Sequence, residues 1–240
     1  MKFKTSISKR EGEELFVRGK KLTDMIGAMT FTEAVFFILK GELPNKHQTA
    51  LLDAVLVATV EHGIEVPSAF VPRVVASTGN SVNAALAAGA LTIGTLHGGA
   101  IEQCAQILQS GKSAKEIVGE ALAKKERISG YGHKVYKDAD PRTTAIYAVA
   151  EKQEVDGKYL QLTRDIEKEL ALQSGKQLPL NIDGAIAAVI SELGIDWRLG
   201  KAFFILGRMP GMMAHILEEM INEKSYRRLE KEEVEYIGTP

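Results

Sequence analysis

The sequence predicts an all-α protein, and two observations support this expectation. Apolar side chains recur every three or four residues in several segments, for example at positions 51, 52, 55, 56 and 60. This is the period of a helix with one face toward a core. Residues that start and stop helices stand at the ends of these segments. Clean alternation of apolar and polar residues and Asn-Gly hairpin turns, which would indicate strands, are missing from the sequence.

The first helices are predicted from their end signals. Thr30 and Glu33 have the spacing of a capping box, and Gly41 stops the helix that follows. The next helix runs through "KHQTALLDAVLVATVEHG" toward Gly63. The apolar stretch 82–96 is shorter than the ~18 residues expected of a membrane span, and its many Ala and Gly residues predict a buried helix packed closely against a neighbour.

The second half of the chain repeats these signals. Ser113 and Glu116 form another predicted capping box, while Asp140 can cap a helix whose first position is Pro141. Further helices are expected over 158–173, 184–193, 197–207 and 211–223.

Composition excludes some classes of function. Thirty basic and 31 acidic residues leave a net charge of -1, so the chain has no basic footprint for nucleic acid. The single Cys104 cannot form an internal disulfide, which favours a reducing compartment. The charged start of the sequence does not resemble a secretory signal or a transit peptide. We therefore expect a cytoplasmic protein that binds neither nucleic acid nor membrane.

Three familiar motifs are incomplete. "QSGKS" lacks the earlier glycine of a phosphate-binding loop, because position 106 is Gln. "HGGA" at 97–100 resembles an oxyanion segment of esterases, but the chain has no G-x-S-x-G for the nucleophile. Neither HExxH nor paired Cys/His spacing occurs, so no metal site is expected.

The histidines divide into two groups. His62, His97 and His133 each stand beside a glycine, where helices end and backbone groups can face a ligand. A structural role is the more common explanation for any one histidine, but three in such settings favour a functional role. His47 and His215 are expected to be structural.

Asp183 lies in "LPLNIDGAIAAVI", between an apolar entry and an apolar helix. It is either the helix N-cap or a base whose pKa is raised by burial. Histidine and aspartate without a serine or cysteine nucleophile favour proton transfer next to a carbonyl group.

Six strings occur in an order that resembles the citrate synthase superfamily: "LFVRGKKLTDMIGAMTFTEAVFFILKGELP", "EHG", "TLHGGA", "GYGHKVYKDADPR", "NIDG" and "FFILGRMPGMMAHILEE". Within it, "VEHG", "ALTIG", "NIDG" and "FILGR" are most similar to free-standing citryl-CoA lyases and to the C-terminal citryl-CoA lyase module of ATP-citrate lyase. The short length points the same way. That module has no histidine at the position of His97, whereas citrate synthases do.

The resemblance implies a citrate synthase-like fold with its active site in a cleft between two helical domains. The large domain would comprise 1–99 and 195–240, and the smaller inserted domain 100–194. It also implies a homodimer or higher oligomer in which one subunit supplies an arginine to the other. Arg228 is the first choice for this arginine, by its spacing from Arg208, and Arg227 the second.

The implied reaction is cleavage of citryl-CoA to acetyl-CoA and oxaloacetate, with citrate synthase activity as the alternative. His133 would accept the hydroxyl proton, His97 would hydrogen-bond the thioester oxygen, and Asp183 would move the methyl proton. No tightly bound cofactor is expected, because the coenzyme A thioester is itself the substrate. A separate citryl-CoA-forming protein is a further expected partner, and a non-catalytic helical partner is the opposing class.

The remaining implied roles concern binding. The oxaloacetate portion would contact His62, Arg142 and Arg208, since guanidinium groups bind carboxylates in a bidentate manner. The coenzyme A portion would contact a second set of residues, namely Gly130, Tyr131, Gly132 and Lys134.

Overall fold

The computed structural model describes residues 2–133 and 136–239, and this part of the chain confirms the all-α prediction. Its α-helices are α1 Leu22–Met25, α2 Phe31–Lys40, α3 Lys46–Ala58, α4 Pro67–Ser77, α5 Val82–Leu91, α6 Gly99–Leu108, α7 Ala114–Lys124, α8 Pro141–Lys152, α9 Lys158–Ser174, α10 Ile182–Glu192 and α11 Gly200–Asn222. None of the helices within the described ranges has the combination of length and hydropathy that a membrane crossing requires.

A small antiparallel sheet precedes the helices, and the sequence patterns did not predict it. Its strands are β1 Ser8–Glu11, β2 Glu14–Val17 and β3 Lys20–Lys21, in the order β1-β2-β3. The four residues of β1, Ser-Lys-Arg-Glu, are all polar and all exposed. The strand therefore has no alternation of apolar and polar residues. The available signal was Gly12 and Gly19, which adopt positive φ at the two turns.

The predicted helix starts are confirmed by hydrogen bonds. Thr30 and Glu33 form a reciprocal capping box on α2, and Ser113 and Glu116 form another on α7. The side chain of Asp140 accepts from a backbone N–H in the first turn of α8, where proline occupies the first position.

Two predictions in the helical region need correction. The expected helices 197–207 and 211–223 are one continuous helix, α11, preceded by the 3₁₀ turn Trp197–Leu199. Pro210 lies inside α11 and removes one backbone donor. The helix continues across it because Phe203, Met212 and Ile216, on both sides of the proline, are buried.

The stretch 82–96 forms a helix only as far as Leu91, and that residue is 86% exposed. The expected close packing does occur on the opposite face, where a Cβ added at Gly89 would lie 3.0 Å from the sulfur of Met212. The helix therefore has one tightly packed face and one open face.

Helix α10 is the centre of the fold. Residues 185–190 are fully buried, because α10 packs against α3, α6, α8 and α9. Helices α4, α5 and α11 pack on one another beside this group. The N-terminus of α10 therefore lies where elements from distant parts of the sequence meet, and the candidate site is found there.

Candidate active site

A cleft of about 190 Å³ lies at the N-terminal end of α10. It is lined by six residues that the sequence analysis singled out from five separate segments: His62, His97, His133, Arg142, Asp183 and Arg208. The structure thus brings together the three expected catalytic side chains and three of the expected substrate-binding side chains.

Two glycines of α11 allow Arg208 to reach the cleft. A Cβ at Gly207 would lie 1.8 Å from Oγ1 of Thr59, and one at Gly211 would lie 2.3 Å from the carbonyl oxygen of Val60. The residues after α3 can therefore lie directly on α11. In this position Arg208 Nε donates to the carbonyl oxygen of Thr59 at 2.7 Å. The Arg208 side chain is held in a nearly buried position and is only 3% exposed.

Ser68 connects Arg208 to His97. This fully buried serine lies in the first turn of α4, and its Oγ accepts from Arg208 Nη1 at 3.1 Å. The same oxygen is 2.9 Å from His97 Nε2. The His97 and Phe204 rings also pack in a T-shaped arrangement, with ring centroids 5.6 Å apart. Ser68 was missed in the sequence analysis, because its only signal was a position after Pro67 at a helix start.

Both histidines beside the arginines favour the neutral form. Partial burial lowers the pKa of His97, and the positive charge of Arg208 lowers it further. The pKa of His62 is also lowered, first by partial burial and then by Arg142 and Arg208. A neutral imidazole carries one donor and one acceptor, so the positive charge of this part of the cleft comes from the two arginines.

Arg142 is held by the residue that caps its own helix. Its Nη2 donates to Asp140 Oδ2 at 2.9 Å and its Nε to Oδ1 at 3.1 Å. Its third nitrogen, Nη1, lies 3.4 Å from His62 Nδ1. Arg142 therefore keeps its guanidinium group against the cleft beside His62.

The two explanations for Asp183 are now distinguished. The N-cap of α10 is Asn181, whose Oδ1 accepts from the backbone N–H groups of Asp183 at 3.0 Å and Gly184 at 3.2 Å. Asp183 is therefore not the cap, and its half-buried carboxyl group is available for another role.

The pKa of Asp183 is raised, chiefly because burial disfavours the ionised carboxylate. The negative charge of Asp140 acts in the same direction, while Arg142 and His133 oppose it. A carboxyl group whose pKa is raised in a cleft is suited to transferring a proton at near-neutral pH.

The glycine loop before His133 is attached to the segment that leads into α10. Asn181 N–H donates to the carbonyl oxygen of Gly130 at 2.9 Å, and Gly132 N–H donates to that of Pro179 at 2.8 Å. Gly130 has φ +93°, and a Cβ there would lie 2.8 Å from both Cys104 Sγ and Gly184 Cα. Glycine is thus required at this position by packing inside the protein.

The ring of His133 contacts Tyr136. Tyr136 N–H donates to His133 Nδ1 at 3.1 Å, and the two rings lie 4.7 Å apart. With Nδ1 as the acceptor, the proton of a neutral ring lies on Nε2. In this arrangement Nε2 is a hydrogen-bond donor.

A second cavity, of about 480 Å³, adjoins the cleft at His133. Its lining includes Tyr131 and Gly132, which were expected to bind coenzyme A, together with Arg127 and Lys176. Gly130, which was also expected to bind coenzyme A, is buried and is not part of this lining. The predicted contact from Lys134 lies outside the described residues.

Neither arginine expected to act on a partner subunit lines the cleft of its own chain in the part of the sequence that the structure describes. Arg227 donates from Nη2 to Glu219 Oε2 at 2.7 Å, and its Nε lies 2.7 Å from Oε1 of the same carboxylate. Arg228 is exposed. The two residues therefore differ in how firmly they are bound within the chain.

The two histidines expected to be structural have partners elsewhere. His47 Nδ1 lies 3.1 Å from Gln153 Oε1, and His215 Nε2 lies 3.3 Å from Glu61 Oε1. Among the described residues, neither ring is part of the cleft lining. Glu61 also accepts from the N–H groups of His62 and Gly63 at 2.8 and 2.7 Å, so His215 supports the turn that carries His62.

Comparison with known proteins identifies the family of this chain and several relatives. Residues 46–229 match the family described as "Citrate synthase, C-terminal domain". Citrate synthase 2 of Bacillus subtilis is 33% identical over 201 residues, which are 81% of this chain and 54% of that protein. The 2-methylcitrate synthase of Shewanella oneidensis is 31% identical over 207 residues, with 84% and 54% covered. The chain spans about half the length of these curated relatives.

Solved structures show the same fold. Citryl-CoA lyase from Hydrogenobacter thermophilus is 46% identical with a TM-score of 0.96, covering 99% of this chain and 95% of that one. ATP citrate lyase from Methanothrix soehngenii, in complex with citrate and coenzyme A, is 26% identical with a TM-score of 0.84, covering 100% of this chain and 42% of that one. The expected resemblance to the citrate synthase superfamily is confirmed at the level of the family. The chain belongs to the citrate synthase family.

Proposed function

We propose that this protein is a citryl-CoA lyase that cleaves citryl-CoA to acetyl-CoA and oxaloacetate. The observation that carries the proposal is the cleft, which combines two arginines, two histidines of lowered pKa and one carboxyl group of raised pKa. The 46% sequence identity to a citryl-CoA lyase, against 33% and 31% to Citrate synthase 2 and 2-methylcitrate synthase, supports a lyase over a synthase.

The charges of the cleft suit the oxaloacetate portion of the substrate. Arg142 and Arg208 come from α8 and α11 and can each face one carboxylate. His62 lies beside Arg142 and can donate to the same portion in its neutral form. Guanidinium groups bind carboxylates through paired charge-assisted hydrogen bonds. These three residues would hold the fragment that leaves as oxaloacetate.

Cleavage requires three proton or electron movements, and the cleft has a group for each. His133 accepts the hydroxyl proton as the carbon-oxygen bond becomes a carbonyl and the carbon-carbon bond breaks. The electron pair of that bond moves into the thioester, whose enolate oxygen receives a hydrogen bond from His97. Asp183 in its acid form then gives a proton to the carbon of the enolate, which leaves as acetyl-CoA.

The surroundings of His97 support its role as a donor. The Ser68 hydroxyl accepts from Arg208 and can use its own proton toward Nε2 of the ring. The imidazole proton then lies on Nδ1. A neutral imidazole that donates from Nδ1 can stabilise an enolate without becoming charged, and the lowered pKa of His97 favours this state.

We place the coenzyme A portion in the second cavity. This cavity shares His133 with the cleft, so a thioester that extends from one to the other would pass the catalytic histidine. Arg127 and Lys176 line it and can meet phosphate groups. The backbone of Tyr131 and Gly132 would lie along the ligand.

The domain and subunit arrangement is also a proposal. Residues 100–194 would form a smaller domain that closes on the remainder of the chain, and closure would exclude water from the cleft. A homodimer would complete each site with an arginine from its partner, Arg228 before Arg227. The citryl-CoA itself would come from a separate activity that joins citrate to coenzyme A.

Citrate synthase activity is the second candidate, and one observation favours it. In the present arrangement His133 carries its proton on Nε2, because Nδ1 accepts from Tyr136 N–H. A donor at Nε2 suits protonation of the oxaloacetate carbonyl during condensation. Cleavage needs the opposite state of the ring, so the contact with Tyr136 must be released before His133 can accept a proton.

Two assays separate these candidates. The purified protein should convert citryl-CoA to oxaloacetate and acetyl-CoA, and intact citryl-CoA at high enzyme concentration would refute lyase activity. The second assay supplies acetyl-CoA and oxaloacetate and measures free thiol together with citrate. A lyase without a hydrolytic step should accumulate little of either product, whereas a synthase should accumulate both.

A further inference from the structure

Asp140 makes more contacts than a helix cap requires. Its carboxylate is completely buried and accepts four hydrogen bonds. Three come from Arg142, through the backbone N–H at 3.0 Å, Nε at 3.1 Å and Nη2 at 2.9 Å. The fourth comes from the backbone N–H of Ile182 at 3.1 Å, which is 42 residues away in the sequence.

The fourth bond connects two parts of the cleft. Ile182 is the first residue of α10 and directly precedes Asp183, while Arg142 lies in the first turn of α8. Asp140 therefore holds a side chain of one helix and the backbone of the other through the same carboxylate. A shift of either helix start would break at least one of these bonds.

A second Asp-x-Arg pair in the same chain shows the hydrogen bonds that this spacing forms without a bond to another helix. Asp196 and Arg198 repeat the Asp-x-Arg spacing, with bonds from the backbone N–H at 3.0 Å, Nε at 2.8 Å and Nη2 at 2.6 Å. The Asp196 side chain is 43% exposed. Within the described residues its hydrogen bonds all come from Arg198. Both aspartates thus cap a helix start and pair with the arginine two residues later. Of the two, Asp140 also accepts a hydrogen bond from the backbone of a second helix.

We propose that Asp140 is a positioning residue for the reaction, holding Arg142 and the backbone that carries Asp183 at a fixed separation across the cleft. The proposal rests on the function proposed above and adds a residue that does not itself touch the substrate. A displacement of about 1 Å at a catalytic group can cost ~100-fold in rate, so this connection has a measurable effect on turnover.

Electrostatics supply an independent readout. The charged groups that act on the pKa of Asp183 are Arg142 on α8, Asp140 itself and His133 on the glycine loop. On α6, burial and then the charge of Asp183 raise the pKa of Cys104. Of these, Asp140 helps to raise the pKa of Asp183. Removing its negative charge should therefore move the pH dependence that is due to Asp183 toward lower pH.

The test compares Asp140→Asn with Asp196→Asn in the full-length protein, after wild-type turnover of citryl-CoA has been measured. We expect Asp140→Asn to lower kcat/KM by about 10- to 100-fold and to shift its pH profile to lower pH. Asp196→Asn should leave both unchanged. An inactive wild type would refute the proposed function alone, whereas an active wild type with a normal Asp140→Asn profile would overturn the positioning role.

Two further measurements keep the result interpretable. Asp140→Glu retains the charge but moves the carboxylate by one methylene group, so it should lower kcat/KM even if Asp140→Asn fails to fold. Unchanged kinetics in Asp140→Glu would overturn the proposal. Combining Asp140→Asn with Arg142→Ala tests whether one residue acts through the other, since the double variant should then lose little more than Arg142→Ala alone. Fully additive losses would count against positioning.

Discussion

The buried hydroxyl of Ser68 lies 2.9 Å from His97 Nε2 and accepts a hydrogen bond from Arg208 at 3.1 Å. A single oxygen on α4 thus links a proposed enolate-stabilising histidine to a proposed carboxylate-binding arginine. When the Ser68 hydroxyl donates its proton to Nε2, the proton of the neutral imidazole lies on Nδ1. Ser68 therefore affects both the orientation and the tautomer of His97.

Replacing Ser68 with alanine should lower kcat by about 10-fold or more, because His97 loses the partner that selects its tautomer. The variant also leaves Arg208 Nη1 without this acceptor, so a modest loss of stability is expected. Steady-state kinetics and thermal unfolding measure the two effects. Thr78→Ala is the control, since its exposed hydroxyl bonds to Val75 and Asn80, which are near it in the sequence and outside the cleft lining. Normal kcat in Ser68→Ala would contradict the role assigned to His97.

Gly207→Ala should reduce both stability and activity. The new Cβ would lie 1.8 Å from Oγ1 of Thr59 and 2.9 Å from the carbonyl oxygen of Leu56, so α3 and α11 must separate. Arg208 would then lose its bond to Thr59. Small-to-large changes in packed positions cost about 1–3 kcal/mol, measurable by denaturant unfolding.

The matched control for this change is Gly119→Ala in α7. A Cβ at Gly119 would lie 3.9 Å from Gln173 Oε1, an ordinary van der Waals contact, so alanine fits without displacement. Glycine to alanine in an open helix position stabilises by about 0.5–1 kcal/mol. Opposite signs for the two variants are expected, and equal effects would show that the Gly207 contact does not hold the helices together.

Asp183→Asn should lower kcat by about 100-fold or more, because the amide cannot transfer the proton. The same change should stabilise the protein at neutral pH. A carboxyl group whose pKa is raised by folding contributes most to stability below its unfolded pKa, and this contribution is lost as the pH rises through the folded value. The amide removes that loss.

Thermal unfolding at pH 4 and pH 7 checks the sign. The stability advantage of Asp183→Asn over the wild type should be larger at pH 7, where the carboxyl group of the wild type is most ionised. Asp196→Asn should lack this stability advantage at pH 7, since the hydrogen bonds from Arg198 lower the pKa of Asp196 to about 2. An advantage for Asp183→Asn that was greater at pH 4 would contradict the raised pKa.

The two C-terminal arginines should give separate phenotypes. Arg227→Ala removes a partner of Glu219, whose side chain is completely buried, so stability should fall. Arg228→Ala removes an exposed side chain and should leave the unfolding temperature unchanged while lowering kcat/KM, if it acts in the partner's cleft. Normal kinetics in Arg228→Ala together with inactive, folded Arg227→Ala would reverse their order.

Mixed oligomers test whether the arginine acts between subunits. Arg228→Ala and Asp183→Asn are each expected to be nearly inactive, but a mixture of the two should form some sites that have both residues. Recovery of activity on mixing would therefore indicate a site built from two subunits. The absence of recovery in a mixture shown to exchange subunits would contradict it.

Local signals were sufficient for most helices. The capping boxes at Thr30 and Ser113 were predicted, because both partners of each bond lie within four residues. The β1–β3 sheet and the continuity of α11 through Pro210 were not. In both cases tertiary contacts decide the structure. Val17 of β2 is buried in a cluster with Met25 and Phe37. Helix α11 continues because its side chains are buried against the rest of the protein on both sides of the proline.

The candidate site shows the same division. Sequence alone determined which residue types were available, because glycine-flanked histidines, the Asp-Pro-Arg helix start and the "NID" string are local features. The N-cap of α10 is also a local feature, because Asn181 Oδ1 accepts from backbone N–H groups two and three residues later. Only the tertiary structure decided that Ser68 joins His97 to Arg208 and that Asp140 reaches Ile182. These relationships depend on the positions of α4, α8, α10 and α11 in space. The physical reason is that burial and hydrogen bonding across long sequence separations are properties of the packed chain and not of any short segment.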